Sequence, residues 1–397
     1  MLGRALDDSF TDEVRHRITL LTAARTAANA CFRFAPPFLA SIAASQHVTL
    51  DRIGVALACS ELSGLTATLI GRAAERIRRR HAMAIGLVGI AVAVTIAAIA
   101  VHIVVFGAGL VLLTQSKMLF DMGLTAWVAD RVPYERRGRA MALTETSWAL
   151  GLLLGVSTMG LVAAATNWRV GYAVGGLVVV TMAASIVKSL PESSPARRTT
   201  SAGHTVATPF APHAWNLAIA MFCLMGASQT LFVTWGTWLK DRFGMSNGGV
   251  STVAFLLGFA ELAASLLAAR SADRHGKARS AMTGALLMVP AALVLATWNH
   301  RLVVALPLLA LAIAAFEYSV VCALPMATEI APGAPAKGLS LTLSAGLLGR
   351  ASASIPSTRL YVSHGFGVPA LLCAVLATLT ALGMWRLMRV DQPGAAA

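Results

Sequence analysis

Several charged side chains sit inside long apolar stretches, where a water-soluble chain would not put them. The acids are Glu61, Asp121, Glu145, Glu261 and Glu317; the bases are Arg25, Arg33, Lys117, Arg350 and Arg359. A charge in an apolar medium costs about 3 kcal/mol or more, so each must face a wet cavity or an opposite charge. A carboxyl in dry surroundings holds its proton more tightly, and a nearby cation loosens it again. A carboxyl that alternates between wet and dry, or gains and loses a basic partner, can therefore carry a proton. Glu61 and Glu261 fall at mid-depth in corresponding places of the two halves of the chain and are the first candidates; Asp121 and Glu317 follow. Arg33, Lys117, Glu145 and Arg350, with the amides of Gln115 and Gln229, are candidates for lining a cavity that holds a small molecule. The plainer alternative is internal pairing: acids and bases are equal in number, and Lys117 and Asp121, four residues apart, share one helical face. Other chemistry has little footing. The chain contains no G-x-x-x-x-G-K-[ST] loop, no H-E-x-x-H and no Cys/His cluster with metal-ligand spacing. We expect no metal, no cofactor and no enzyme.

What must position these groups is a set of membrane helices. Of 397 residues, 57% are apolar and only 13% charged, against about 25% charged in a soluble domain. Apolar runs of about 20 residues fall near 18–43, 52–71, 82–100, 103–128, 140–164 and 169–188, then near 214–239, 248–269, 281–298, 302–326, 339–361 and 368–385. An excess of Arg and Lys in short connections marks the cytoplasmic side. Arg76, Arg78, Arg79, Arg80, Arg131, Arg136, Arg137, Arg139, Lys277, Arg279 and Lys337 fall on one side, and only Arg52, Arg169, Lys240, Arg242 and Arg301 on the other. The asymmetry places both termini in the cytoplasm, with the lipid bilayer of the inner membrane as partner. It accounts for the net charge of +14 without nucleic acid. Asp7, Asp8, Asp12 and Glu13, ahead of an apolar run too long for a signal sequence, imply an uncleaved first anchor. Pro36-Pro37 should bend the first span. Trp168, Trp235 and Trp238, near the outer boundary, read as an aromatic belt; cavity wall is the other reading for Trp235 and Trp238, and the reading for Trp148. The five cysteines read as small core hydrophobes.

The longest polar stretch, Pro191 to Pro212, has the Ser/Thr/Ala/Pro composition of a flexible linker. It divides the chain into residues 1–188, a connection 189–213, and residues 214–397. The halves repeat at a period of about 200 residues. Gly71-Arg-Ala-Ala-Glu75-Arg76-Ile-Arg78-Arg79-Arg80 answers to Ala269-Arg-Ser-Ala-Asp273-Arg274-His-Gly276-Lys277. Asp130-Arg-Val-Pro133, leading to Gly138, answers to Glu329-Ile-Ala-Pro332, leading to Gly338.

These loops resemble the signature G-x-x-x-D-R-x-G-[RK]-[RK] of the major facilitator superfamily, with Glu75 and Arg78 in place of the first copy's Asp and Gly, and Ala269 in place of the second copy's first Gly. The resemblance covers nearly the whole chain. It implies an all-α fold of twelve transmembrane helices in two pseudo-symmetric six-helix bundles, working as a monomer by alternating access. In that fold the third, sixth, ninth and twelfth helices lie outermost against lipid, and those spans are the ones free of internal charge. By the same resemblance, Glu75 and Arg76 with Asp130, and Asp273 and Arg274 with Glu329, form two cytoplasmic clasps, with Gly71 and Gly276 shaping the loops. Simple positive-inside anchoring is the alternative. The stretches Arg137 to Trp148 and Trp235 to Gly244 are similar to bacterial drug-efflux and sugar-efflux-like permeases. Gly151-x-x-x-Gly155-Val156-x-x-x-Gly160 is similar to the antiporter motif, with Val156 where its Pro stands; close helix packing is the other reading of these glycines. The implied function is proton-coupled efflux of a small molecule. An importer or passive facilitator is the alternative, and a membrane-embedded enzyme or receptor a remote one.

Overall fold

The computed structural model describes residues 10–66, 69–70, 76–132, 134–191, 210–331 and 335–390, the side chains of 134–139, 272–273, 335–336 and 390 excepted. All regular structure in these residues is helical. This follows from the solvent: in hydrocarbon each backbone N–H and C=O must be satisfied within its own segment. The long helices are α1 Asp12–Arg33, α2 Leu50–Ser63, α3 Arg79–Ile99, α4 Ile103–Arg131, α5 Ala140–Ala165 and α6 Trp168–Ser189. The second set is α7 Ala214–Phe243, α8 Asn247–His275, α9 Lys277–Trp298, α10 Leu302–Ala323, α11 Pro335–His364 and α12 Gly367–Val390.

Among the described residues, 9 helices are long and apolar enough to cross a membrane. The other three, α1, α2 and α11, hold Arg25 and Arg33, Glu61, and Arg350 and Arg359. Internal charge accompanies the weaker apolar character of these three, although α4, α5, α8 and α10 carry Lys117 and Asp121, Glu145, Glu261 and Glu317 and still qualify. In α1 the expected bend is a break: the helix ends at Arg33, a 3₁₀ turn covers Pro36–Phe38 and a short helix resumes over Leu39–Ser45. Two successive prolines lack the N–H groups that would carry the helix through.

The chain forms two compact units. One comprises Met1–His47, Ser63–Thr200 and Ser246–Gly258; the other comprises Val48–Leu62, Ser201–Met245 and Phe259–Ala397. In the first, α3 exposes Ile85, Val88 and Val92, and α6 exposes Leu177, Val178 and Val180. In the second, α9 exposes Leu286, Leu287 and Leu293, and α12 exposes Leu371, Val375, Leu379 and Leu382. Exposed apolar faces of this kind suit lipid contact, and these are the four helices without internal charge.

The internal repeat is visible in packing. A Cβ on Gly86 of α3 would lie 2.7 Å from Phe120 N and 2.8 Å from Ser116 O of α4. A Cβ on Gly284 of α9 would lie 2.7 Å from Ala315 O and 2.9 Å from Ser319 N of α10. Each unit brings an equivalent helix pair together at an equivalent glycine, because small residues let backbones approach in lipid. Helix ends are fixed by capping. The Asn167 side chain accepts from the N–H groups of Arg169 and Val170 at the start of α6. Arg80 donates to Val187 O and Leu190 O at the end of α6, and Arg169 donates to Ala98 O and Ala100 O at the end of α3. Each arginine satisfies carbonyls that a helix terminus leaves unpaired.

Helix α5 is not regular. A π-turn spans Gly151–Val156, and Ser157 Oγ donates 3.0 Å to Leu152 O inside it. Gly151 and Gly155 place this turn against Asn29 and Ala30 of α1, and Gly258 of α8 meets the Leu153 backbone. The packing reading of these glycines therefore describes what they do. The belt reading of the outer tryptophans does not hold. Trp168, Trp235 and Trp238 are 3%, 1% and 2% exposed. Trp168 Nε1 donates 2.9 Å to Ser45 Oγ, and Trp238 stacks on Phe366 at 4.3 Å. Large aromatic surfaces gain more from helix packing here than from the interface. Trp215, Trp298 and Trp385, near helix ends, are the exposed ones. Cys59 is likewise exposed while the other four cysteines are buried.

Candidate functional site

Within the first unit, α1 directs Arg25, Asn29 and Arg33, spaced by four residues, onto α4 and α5. Arg25 Nε donates 3.1 Å to Asp121 Oδ1 and its Nη1 donates 2.6 Å to Glu145 Oε1. The other oxygen of Asp121 accepts from Lys117 Nζ, so the i,i+4 pair forms and Asp121 is shared by two cations. Asn29 Nδ2 donates 3.1 Å to Ser147 Oγ. Arg33 Nη1 donates 2.9 Å to Trp148 O, and its guanidinium lies 4.5 Å from the centre of the Trp148 ring. Lys117 Nζ lies 5.6 Å from the Phe32 ring and 6.0 Å from the Trp148 ring. The arrangement is a cationic and aromatic wall in which Asp121 holds Arg25 and Lys117 and Glu145 holds Arg25. Glu145, half-exposed at the start of α5, forms its outer member. Gln115 is occupied at both ends of its amide. Its Nε2 donates 2.6 Å to Ser63 O, and its Oε1 accepts from Thr66 Oγ1 at 2.9 Å, which ties down the 3₁₀ turn Gly64–Thr66.

Within the second unit, Glu61 of α2 meets Arg350 of α11. Arg350 Nε and Nη2 both donate to Glu61 Oε1, at 2.9 and 2.7 Å, while Oε2 has no hydrogen-bond partner among the described residues. Four residues after Arg350, Ser354 accepts 2.9 Å from Gln229 Nε2 and donates 2.9 Å to Arg350 O. A second polar seam joins α8 to α10. Ser265 Oγ donates 2.7 Å to Glu317 Oε1, and the Tyr318 and Ser271 hydroxyls are 2.7 Å apart. Since Ser271 gives its own proton to Leu267 O at 2.9 Å, Tyr318 is the donor in that pair. Glu317 is 5% exposed and Glu261, one turn before Ser265 on α8, is 0% exposed. Neither a pairing nor a seam is readable from the sequence. Asn29, by contrast, carries a signal in its spacing between Arg25 and Arg33.

Beside the two repeated loops, two acid–base pairs are described. Asp130 accepts from Arg79 Nε at 3.1 Å, and Glu329 accepts from Lys277 Nζ at 2.5 Å. Arg76 and Arg274 are exposed. Three residues beyond each of these arginines the chain has entered a helix, and it is the first helical turn of α3 or α9 that meets the acid. Arg79 and Lys277 hold the same place in the repeat, so both units build the same pair. Gly276 precedes Lys277 with φ 85° and ψ 139°, a conformation that favours glycine. Arg78, at the matching place, has φ −59° and ψ 137°; the first copy starts its helix from ordinary extended backbone, and a glycine is not needed. Gly71, Glu75 and the Asp273 side chain lie outside the described residues. No group of three or more His, Cys, Asp or Glu side chains is placed to hold a metal among the described residues.

Comparison with known proteins agrees with this architecture. The family model described as Major Facilitator Superfamily matches residues 21–354 and 217–397. The uncharacterized MFS-type transporter YwfA of Bacillus subtilis (strain 168) is 25% identical over 216 residues, 52% of this chain and 51% of that protein. The aligned part is thus about half the length of that relative. Among solved structures, the human organic anion transporter MFSD10 (TETRAN) has a TM-score of 0.71 at 20% identity, covering 94% of this chain and 100% of that one. The inward open xylose transporter XylE from E. coli has a TM-score of 0.77 at 15% identity, covering 94% and 96%. At these identities the structural likeness speaks to fold alone.

Proposed function

Given that the chain belongs to the Major Facilitator Superfamily of membrane transporters, we propose that it is a proton-coupled secondary transporter that exports a small molecule by alternating access. The observation that carries this reading is the set of buried carboxyls, Glu61, Glu261 and Glu317, in membrane-spanning helices of one unit. A buried carboxyl is costly unless it serves pairing or proton handling, and a carboxyl whose surroundings change can take up and release a proton. The wall of Arg33, Lys117, Trp148 and Phe32 in the other unit has the mixed polar and aromatic character of a small-molecule site. The efflux direction is supported by the resemblance of the α5 and α7 stretches to efflux permeases. In this reading the two halves flank the connection 189–213, both termini are cytoplasmic in the inner membrane, and the protein acts as a monomer.

The test is a substrate panel in inverted membrane vesicles with and without an imposed proton gradient. Gradient-dependent accumulation of a compound, abolished by collapsing the gradient, is the expected result. Uptake that runs with the gradient in right-side-out vesicles would replace export by import. Flux indifferent to the gradient would remove proton coupling.

A further inference from the structure

Arg25 is shared by two acids that hold it unequally. Asp121 lies inside the unbroken helix α4 and is held a second time, by Lys117. Glu145 is half-exposed and bonds to Arg25 through Nη1 alone. The helix of α5 is interrupted at Thr146, directly after Glu145. There the Thr144 and Thr146 hydroxyls donate back to Met141 O and Leu143 O at 2.8 and 2.6 Å, bonds of a kind that bend helices. A half-exposed pair held by one bond contributes little, because water solvates and screens its charges. Glu145 is therefore the exchangeable partner and Asp121 the fixed one.

Arg25 also has a donor to spare. Its Nε serves Asp121 and its Nη1 serves Glu145, while Nη2 has no hydrogen-bond partner among the described residues. Nη1 and Nη2 together form the end-on fork of a guanidinium, which matches the two oxygens of one carboxylate. In the linked group of four, Arg25 and Lys117 balance Asp121 and Glu145; once Glu145 lets go, the other three carry one positive charge in excess. Beside them stand Phe32 and Trp148, both part-exposed. We propose that the substrate is an organic anion, a carboxylate on an aromatic body, which takes the end-on fork of Arg25 in place of Glu145. Glu145 is then a tethered counterpart of the substrate carboxylate: it neutralises the fork between substrates and yields to a ligand that fills both donors. The proposal rests on the reading of this wall as the small-molecule site and names the class of molecule it takes.

The test is binding, which needs neither a gradient nor flux. The probes share their rings and differ in charge: benzoate and 2-naphthoate, the corresponding amides, and benzylamine with 2-naphthylmethylamine. Melting of the detergent-purified protein is followed with each probe over a concentration series, since a ligand of the folded state raises the midpoint. Stabilisation by the carboxylates alone, lost in Arg25→Gln, is the expected result. Glu145→Gln removes the competing charge and should lower the carboxylate dissociation constant about fivefold; a merely structural role for Glu145 would raise it. Amides or amines that stabilise as well as the carboxylates, or carboxylates that stabilise nothing, overturn the substrate class. Carboxylate binding undiminished in Arg25→Gln overturns the site. Binding that Glu145→Gln leaves unchanged or weakens overturns the exchange, and it does so even if Arg25→Gln fails to fold. The gradient experiment above decides proton coupling separately, because none of these measurements involves a gradient.

Discussion

Glu61 and Arg350 are separated by most of the chain, yet both guanidinium donors converge on one carboxylate oxygen at 2.9 and 2.7 Å. The pair joins α2 to α11, and the Glu61 side chain is 6% exposed. Removing one member of a buried pair strands the other, at a cost of about 3–5 kcal/mol, whereas replacing both by apolar groups is often close to neutral. Glu61→Ala should therefore lower the melting temperature of the detergent-purified protein sharply, and Glu61→Ala/Arg350→Met should restore much of it. Equal losses in the single and double variants would show that the stranded Arg350 charge is not what destabilises the single variant. The sequence discloses each such charge, because an Arg or Glu in an apolar run is conspicuous. It does not disclose the partner: nothing in the runs around Glu61 and Arg350 says that these two, and not Glu61 and Arg359, meet. Gln115 shows the same limit. Its depth asks for a partner, but the partner is a turn at Ser63 and Thr66 that only the folded chain provides.

At the scale of helices, apolar runs locate most elements within a few residues, and the positions of glycine decide how closely they pack. A Cβ on Gly349 of α11 would collide with the Phe222 backbone of α7. Gly349→Ala should destabilise the second unit by about 1–3 kcal/mol, the usual cost of overpacking, read as a lower melting temperature. Gly383→Ala, where the close atom is the Ala220 side chain at 2.9 Å, should cost less. Equal effects would mean that the α7–α11 contact is not tight. The repeat-related ion pairs belong to this scale as well. In Lys277→Glu/Glu329→Lys the charges are exchanged and can still meet, so transport should recover relative to either single reversal. Failure of the exchange to restore any activity would assign the charges a role other than mutual attraction. What sequence reasoning missed here is local geometry. Gly151, Gly155 and Gly160 announce close packing, but no residue announces that Gly151–Val156 winds as a π-turn. The motif arginines announce a cluster, but the helix start decides which of them reaches the acid.

For the whole molecule, composition and charge placement disclose the class, since 57% apolar and 13% charged residues leave few arrangements other than a helical membrane protein. The four helices without internal charge, α3, α6, α9 and α12, do expose Leu, Val or Ile, but so does the charged α8 through Phe255, Leu256, Phe259, Leu266 and Leu267, so exposure alone does not single them out. The buried tryptophans were not legible in the sequence, because indole suits both an interface and a packed interior, and only neighbours such as Phe366 and Ser45 decide between them. The proposed orientation is checked by reporter fusions. Those after Arg80, Arg139 and Ala202 should report cytoplasm, and those after Asn167 and Asn299 the opposite side. A cytoplasmic signal after Asn167 would break the alternation on which the orientation rests.

The solitary exposure of Cys59 gives the native chain a built-in chemical clock. Maleimides react with thiolate, which forms in water and not in hydrocarbon, and the four other cysteines are shut inside the packing. The labelling rate of the unmodified protein therefore reads whether this face of α2 is bathed in solvent or pressed into acyl chains. A rate that changes when a transported compound is added times the wetting of that face, with no engineered residue.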